Sequence, residues 1–186
     1  MIGVILVKGI SKRLPGKNFM EFNQTMMWKV NYDKMLMLGI PTKIITDSHS
    51  DDAVSFYCDN RIQRPDWIGD RTEDVLGWLR ESIPIEEPIL LMQATNPLVD
   101  LEFIETAIHV YNESDISKLV SINSYTCKRD GSVYITDSEE LYSGRDMWVI
   151  CRGEINPMAC DIDEWPDYCI ARAISEGRVI NIENRN

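Results

Sequence analysis

Four positively charged side chains lie close together near the start of the chain, at Lys8, Lys12, Arg13 and Lys17. The chain has 19 Lys and Arg among 186 residues, so ten residues would carry about one if these were evenly spread. Gly and Pro between the cations indicate a loop. In a protein of net charge -11, such a loop is typical of a site for an anionic ligand such as a polyphosphate. A solvated basic loop is the alternative.

The glycine spacing in this cation loop (residues 8–18) excludes two common phosphate-binding motifs. Gly9 and Gly16 are separated by six residues, and Lys17 is followed by Asn18, so the stretch is not G-x4-G-K-[ST]. The G-x-G-x-x-G dinucleotide fingerprint is also absent.

Two carboxylates late in the chain form a second candidate site. Asp161 and Asp163 are two positions apart, so on an extended backbone both side chains point to the same side. Their oxygens suit a hard cation such as Mg²⁺. A solvated turn before the next helix is the alternative, because the chain has 30 Asp and Glu residues.

The elements that must position these residues alternate between strands and helices. Strands are predicted at 1–7, 42–46, 61–64, 88–93, 118–124, 132–136, 148–151 and 179–182. Helices are predicted at 25–38, 72–82, 100–113 and 164–176, with Thr72 and Asp100 as N-caps. This order predicts a three-layer α/β/α fold with a mainly parallel sheet. The cation loop follows the first strand, where open α/β sheets bind ligands.

Composition narrows the class of protein. With 186 residues, 44% of them apolar, and no linker-like segment, one domain over residues 1–186 is expected. No apolar run is long enough for a membrane span or a signal peptide, so we expect a cytoplasmic protein. The acidic net charge argues against nucleic acid as a partner. The five cysteines contain no C-x-x-C pair, so free and mostly buried thiols are expected.

Residues 11–18, Ser-Lys-Arg-Leu-Pro-Gly-Lys-Asn, resemble the signature loop of the CMP-sialic acid synthetases, which are acylneuraminate (nonulosonic acid) cytidylyltransferases. The resemblance implies a Rossmann-like fold of the nucleotide-diphospho-sugar transferase type. It also implies that Ser11, Lys12, Arg13, Lys17 and Asn18 bind the triphosphate of CTP, with Lys12 and Lys17 catalytic. Lys8 stands where the family has Arg, so it keeps the charge but lacks the bidentate guanidinium.

Three further segments resemble the family in the same order along the chain. Thr46-Asp47 is similar to its S/T-[ST]-D turn, and an Asx-type helix cap is the alternative. Arg64-Pro65 followed by Gly69-Asp70 is similar to its R-P-x-x-L-[AS]-x-D segment, which implies that Arg64 approaches the cytosine. A salt-bridged surface Arg is the alternative. Residues 161–167 resemble D-[IV]-D-x-x-x-D, which implies that Asp161 and Asp163 bind Mg²⁺ and act in catalysis.

The segments expected to bind the sugar also resemble the family. Residues 90–98, Leu-Leu-Met-Gln-Ala-Thr-Asn-Pro-Leu, are similar to L-L-Q-P-T-S-P-L-R, which implies that Gln93 and Thr95 bind the sugar acid. The Arg that ends this motif in the family is Val99 here. Residues 131–135 resemble the G-x-[IV]-Y-[IV] strand, and Lys128 or Arg129 is the residue expected to face the sugar carboxylate.

One family element is missing. A long insertion that forms the family's dimer and part of the partner's sugar site is reduced to residues 125–130, so a monomer or an atypical homodimer is expected. The resemblance implies transfer of CMP from CTP to a 2-keto sugar acid related to sialic acid, with Mg²⁺ as cofactor. A non-catalytic CTP-binding relative and a 3-deoxy-octulosonate cytidylyltransferase are the alternatives.

Overall fold

A computed structural model describes residues 1–69, 71–123, 129–137, 147–152 and 161–178, and only the backbone of residues 123, 129–131 and 147–152. The strands are β1 (Ile2–Val7), β2 (Glu21–Phe22), β3 (Thr25–Met26), β4 (Thr42–Thr46), β5 (Arg61–Gln63), β6 (Ile89–Gln93), β7 (Lys118–Asn123), β8 (Arg129–Thr136) and β9 (Met147–Arg152). The α-helices are α1 (Met27–Met37), α2 (Asp51–Ser55), α3 (Thr72–Ser82), α4 (Leu101–Glu113) and α5 (Trp165–Ser175). A 3₁₀ turn covers Lys17–Phe19.

Seven strands form the main sheet in the order β5-β4-β1-β6-β8-β7-β9. The pairs among β5, β4, β1 and β6 are parallel, and β9 is parallel to β7. Only β8 runs against its neighbours β6 and β7 among the described strands. The prediction of a mainly parallel sheet is therefore confirmed.

Side chains of β1 alternate between two hydrophobic layers. Ile5 packs with Trp28 of α1 and Ile104 of α4 on one face, while Val4 packs with Leu76 of α3 on the other. Successive side chains of a strand point to opposite faces, so a strand buried on both faces is apolar at nearly every position. The predicted three-layer α/β/α architecture follows.

A third apolar cluster joins the two ends of the chain beside the sheet. Leu14 of the cation loop and Phe22 of β2 pack with Ile162 and with Tyr168 of α5. The Tyr168 hydroxyl also donates a hydrogen bond to the carbonyl of Glu21. This cluster places the segment that carries Asp161 and Asp163 next to the cation loop.

The described elements differ from the prediction chiefly before α1 and at α2. The helix predicted from residue 25 begins at Met27, because Thr25–Met26 pair with Glu21–Phe22 across a turn with positive φ at Asn23 and Gln24. Helix α2 was not predicted, since five residues carry too short a periodic pattern. The strand predicted at 179–182 lies outside the described residues.

One of the two predicted caps is confirmed. The Asp100 side chain accepts a hydrogen bond from the Phe103 amide at 2.7 Å and caps α4. Thr72 is not the cap of α3, because Arg71 occupies the cap position and Thr72 is already helical.

Two further expectations from composition can be compared with the described residues. Both described cysteines with side chains are free thiols, as expected; Cys58 is buried and Cys169 is exposed on α5. Across the described part of the chain, every helix is too short or too polar to span a bilayer.

Candidate active site

A cleft of about 1050 Å³ opens at the carboxyl ends of β1, β4 and β6. The predicted site residues that line it are Lys8, Ser11, Lys12, Arg13, Lys17, Asn18, Arg64, Gln93, Thr95, Asp161 and Asp163. Leu6, Ile10, Asp47, His49, Asp66, Ile68 and Thr72 contribute further lining residues. The fold therefore brings residues from both ends of the sequence to one concave surface.

Asp47 holds the first residues of the cation loop. Its carboxylate accepts hydrogen bonds from the Gly9 amide at 3.0 and 3.2 Å, the His49 amide at 3.2 Å and the Ser50 hydroxyl at 2.7 Å. The Ser50 hydroxyl is also 3.0 Å from the carbonyl of Val7 at the end of β1. The helix cap that was the alternative for this residue is not present, because Ser50 occupies the N-cap position of α2; the Asp47 carboxylate instead fixes the loop.

Gly9 is required by the close approach of the two loops. A Cβ atom at this position would lie 2.5 Å from the backbone carbon and oxygen of His49, well inside normal contact. Gly16 has φ of +69° at the start of the 3₁₀ turn, where a side chain would be strained. The two glycines thus allow the tight entry and the sharp exit of the cation loop.

Asn18 is buried beneath the cation loop. Its side-chain amide donates to the carbonyl of Lys8 at 2.9 Å, which ties the two ends of the loop together. Its side-chain oxygen is buried and has no hydrogen-bond partner within the described residues. A donor on a ligand or a water molecule would satisfy it.

The segment 161–163 presents two carboxylates on one side and an apolar anchor on the other. Ile162 is fully buried, and its amide donates to the carbonyl of Thr95 at 2.9 Å. Asp161 and Asp163 on either side of it both line the cleft. The two-residue spacing therefore places both carboxylates at the cleft, as the sequence predicted, with the buried Ile162 between them.

Asp163 forms ion pairs with two cations of the loop. One carboxylate oxygen lies 2.8 Å from Lys17 Nζ and the other lies 2.7 Å from an Arg13 guanidinium nitrogen. Lys17 Nζ also donates to the Ile162 carbonyl at 3.0 Å. We call this arrangement of Arg13, Lys17 and Asp163 the Asp163 bridge; it shows that the residue is more than part of a solvated acidic turn.

The carboxyl of Asp161 has a raised pKa. Asp161 is open to the solvent of the cleft, but protein surrounds the cleft, and this partial desolvation is the largest cause. The hydrogen bond with Thr95 lowers the pKa, the charge of Asp163 raises it, and Lys17 and Arg13 lower it. The net result is a carboxylate more basic than an ordinary Asp.

Arg64 is buried, so the alternative of a salt-bridged surface Arg is wrong. Its guanidinium donates to the carbonyls of Ile68 and Gly69, which folds the loop after β5 along the cleft. Gly69 is again a close approach, because a Cβ there would lie 2.2 Å from the Asp74 side chain. Asp70, which completes the sequence motif, lies outside the described residues.

Gln93 and Thr95 lie where β6 ends, and two residues of α1 hold this turn. Asn31 donates to the carbonyls of Gln93 and Asn96 at 2.8 and 3.0 Å. Lys34 Nζ is 2.6 Å from the carbonyls of both Pro97 and Val99. The sequence did not identify these two supports; the available signal was that Asn31 and Lys34 are polar and lie three positions apart, on one side of α1.

The remaining predictions fall at the edge of the described structure. Lys128 lies outside the described residues, and Arg129 is described only as backbone in β8.

No group of three or more potential metal ligands occurs among the described His, Cys, Asp and Glu residues. Asp167 accepts from the amides of Asp163 and Glu164 and caps α5, so it supports the carboxylate pair instead of facing the cleft.

No protein-family model matches the chain, and no curated protein sequence matches it. Solved structures do match. A CMP:2-keto-3-deoxy-manno-octonic acid synthetase in complex with CTP aligns with a TM-score of 0.69 at 13% identity, over 95% of this chain and 98% of that one. A cytidylyltransferase from Leptospira borgpetersenii aligns with a TM-score of 0.71 at 16% identity, over 96% of this chain and 87% of that one.

The chain has the nucleotide-diphospho-sugar transferase fold. Rv0371c from Mycobacterium tuberculosis, in a complex with manganese, aligns with a TM-score of 0.65 at 17% identity, over 92% of this chain and 97% of that one. At these identities the similarity establishes the fold alone. Within the nucleotide-diphospho-sugar transferase fold, the cleft described above lies at the carboxyl edge of the sheet, where ligands of open α/β sheets bind.

Proposed function

We propose that this protein is a nucleotidyltransferase that transfers CMP from CTP to a 2-keto sugar acid of the sialic acid type and releases pyrophosphate. The observation that carries the proposal is the single cleft in which the cation loop faces Asp161 and Asp163. The neighbouring solved structures with the same fold include cytidylyltransferases, one of them bound to CTP. Their names support the class of reaction.

In this reaction the anomeric hydroxyl oxygen of the sugar acid forms a bond to the α-phosphorus of CTP. The bond to the pyrophosphate oxygen breaks, and the hydroxyl proton is released. Catalysis of phosphoryl transfer depends mainly on positioning and on neutralising negative charge. Lys12, Lys17 and Arg13 offer that charge at the β- and γ-phosphates, and Ser11, Asn18 and Lys8 complete the phosphate side of the cleft.

Asp161 and Asp163 have the donor set that Mg²⁺ prefers, since this ion is typically bound by one or two carboxylates and by substrate phosphates. A Mg²⁺ ion held there would supply charge neutralisation at the phosphates. The manganese complex of a neighbour with this fold supports a divalent metal in the proposal. The two carboxylates lie on either side of the buried Ile162, which fixes their spacing.

The sugar half of the cleft is the part that bears on the choice between two candidate sugar acids. Val99, at the position of the family's Arg, is fully buried in the hydrophobic core, so it offers no group to the sugar carboxylate. We assign sugar binding to Gln93 and Thr95, with Lys128 or Arg129 for the carboxylate. The similarity to the octonic acid synthetase favours an eight-carbon acid as the second candidate substrate.

The test is pyrophosphate release from CTP and Mg²⁺ with a panel of nine-carbon and eight-carbon 2-keto sugar acids. We expect release only when a sugar acid is present, and much less with UTP as a control. Binding of CTP without release for any acid would instead identify the non-catalytic alternative. The preferred acid decides between the two candidate substrates. A cytoplasmic location remains part of the proposal.

A further inference from the structure

In the Asp163 bridge, the Asp163 carboxylate contacts two of the cations that the proposed function assigns to the triphosphate of CTP. Lys17 and Arg13 both contact the Asp163 carboxylate, one on each oxygen. The two contacts differ in strength, because the Lys17 side chain is 14% exposed and that of Arg13 is 61% exposed. Exposed ion pairs are weak, so the contact with Lys17 dominates.

A phosphate that binds Lys17 Nζ comes close to the negatively charged carboxylate of Asp163, because that carboxylate contacts the same nitrogen atom. The ammonium of Lys17 lies 2.8 Å from Asp163 and 3.0 Å from the Ile162 carbonyl, so its position is fixed by the protein. A phosphate oxygen binding there would lie within a few ångströms of the carboxylate, and two like charges at that distance repel each other. Either the ion pair opens or a cation lies between the two anions.

We infer that Asp163 is a specificity-determining residue that makes the cation loop select a triphosphate complexed with a divalent metal over a metal-free triphosphate. Without metal, Asp163 acts as the internal counter-anion of Lys17 and competes with phosphate. A divalent ion held by Asp163 would neutralise this carboxylate and would leave Lys17 available to the phosphate. This inference rests on the proposed phosphate site but on no particular base or sugar.

Loss of the Asp163 carboxylate should therefore change metal-free triphosphate affinity in the direction opposite to the loss of a phosphate-binding residue. Replacing Asp163 by Asn removes the counter-anion and leaves Lys17 held by the Ile162 carbonyl. Metal-free triphosphate should then bind more tightly than to the unaltered protein. Binding of two ligands is reciprocal, so the stimulation of triphosphate binding by metal should fall in the same variant.

The matched control is Asp161→Asn, because Asp161 lines the same cleft and has the same charge but no ion pair with the loop among the described contacts. Both variants remove one negative charge from the cleft, so each raises the general attraction for anions. Any additional gain in triphosphate affinity in Asp163→Asn, compared with Asp161→Asn, therefore measures the effect of opening the Asp163 bridge. The double variant Asp163→Asn with Lys17→Ala tests whether the excess acts through Lys17.

The experiment is calorimetric titration with inorganic tripolyphosphate, first in EDTA and then as its Mg²⁺ complex. In EDTA we expect Asp163→Asn to bind tripolyphosphate roughly tenfold more tightly than Asp161→Asn, because a charge-assisted contact no longer has to be broken. We expect the gain to disappear when Lys17→Ala is added. Thermal unfolding of each variant checks that the fold is intact.

Equal metal-free affinity in Asp163→Asn and Asp161→Asn would overturn the inference, as would a gain that persists without Lys17. Absence of tripolyphosphate binding in every variant would overturn it as well. Tripolyphosphate has neither base nor sugar, so these outcomes are independent of pyrophosphate release from CTP. The proposed function could fail on its sugar or base while the selectivity for the metal complex stands.

Discussion

The lysines in and around the cleft have different roles, and their contacts distinguish these roles. Lys34 directs its ammonium at two backbone carbonyls and supports a turn, whereas Lys12 is exposed on the cation loop and lines the cleft. Lys17 lies between these cases, because it contacts both Asp163 and a backbone carbonyl. Contacts therefore distinguish a ligand-facing lysine from a structural one, and charge alone does not.

Lys12→Ala should weaken CTP binding about tenfold and leave the free energy of unfolding within about 0.5 kcal/mol of its original value. An exposed cation contributes little to folding, while a charge-assisted contact to phosphate contributes to binding. Calorimetric titration and thermal unfolding measure the two quantities. Lys29→Ala, which removes an α1 lysine that pairs with Asp33, is the control. Unchanged CTP affinity in Lys12→Ala would remove this residue from the phosphate site.

Asp161→Asn should stabilise the metal-free protein at neutral pH. The folded state raises the pKa of Asp161, so it disfavours the ionised carboxylate relative to the unfolded chain. The benefit of Asn should therefore be largest above the raised pKa and should decrease as the pH falls. It should vanish below about pH 3, where Asp is protonated in both states. Thermal unfolding in EDTA across this range checks the sign, which a larger benefit at low pH would contradict.

The sequence indicated the main anionic and cationic groups of the cleft, because a dense basic stretch and a spaced carboxylate pair are both local signals. It did not indicate that Arg13 and Lys17 contact Asp163. Lys17 and Asp163 are separated by 146 positions, and local sequence spacing carries no information on such a contact. Asn31 was also missed, because its partners are backbone carbonyls on another element.

At the scale of elements, the buried parallel strands and the longer helices were predicted within a few residues. These elements are indicated by apolar runs, periodic apolar faces and caps such as Asp100, all of which depend on residues close together in the sequence. The β2–β3 hairpin was missed because positive φ at Asn23 and Gln24 carries no clear sequence signal. Helix α2 was missed because of its length.

Gly9→Ala should destabilise the protein by about 1–3 kcal/mol, because the new Cβ would overlap the backbone of His49. The loop would have to move away from Asp47, so CTP affinity should fall as well. Gly77→Ala is the matched control, since it lies inside α3 with open space at its Cβ position. That change should stabilise the helix by about 0.5–1 kcal/mol. Denaturant unfolding and CTP titration distinguish the two, and equal stability of both variants would contradict the close approach.

At the scale of the whole molecule, the link between β7 and β8 is short. The two strands pair directly, with residues 124–128 between them, where the resembling family has a long arm. Specific interfaces bury about 1,200–2,000 Å² in total, which so short a link does not supply alone. The single domain over residues 1–186 and the assembly state both remain predictions.

We expect light scattering to show a monomer, or a dimer whose interface does not involve residues 124–128. Without an arm from a partner, the sugar half of the cleft should be open, so several 2-keto sugar acids should bind weakly while CTP binds normally. A panel of acids measured at saturating CTP checks this. A dimer that dissociates when residues 124–128 are replaced by Gly and Ser, together with strict selectivity for one acid, would contradict it.

The Asp163 bridge also has a consequence in time. Proteins are synthesised at roughly 5–20 residues per second, so Lys17 emerges on the order of ten seconds before Asp163, which follows it by 146 positions. By the end of that interval the parallel strands β1, β4 and β6 have all been synthesised, but until then the basic loop has no acidic partner from the segment that leads into α5. The contact between the two ends of the chain is therefore among the last to form during synthesis, and a probe placed on it would report the completion of folding.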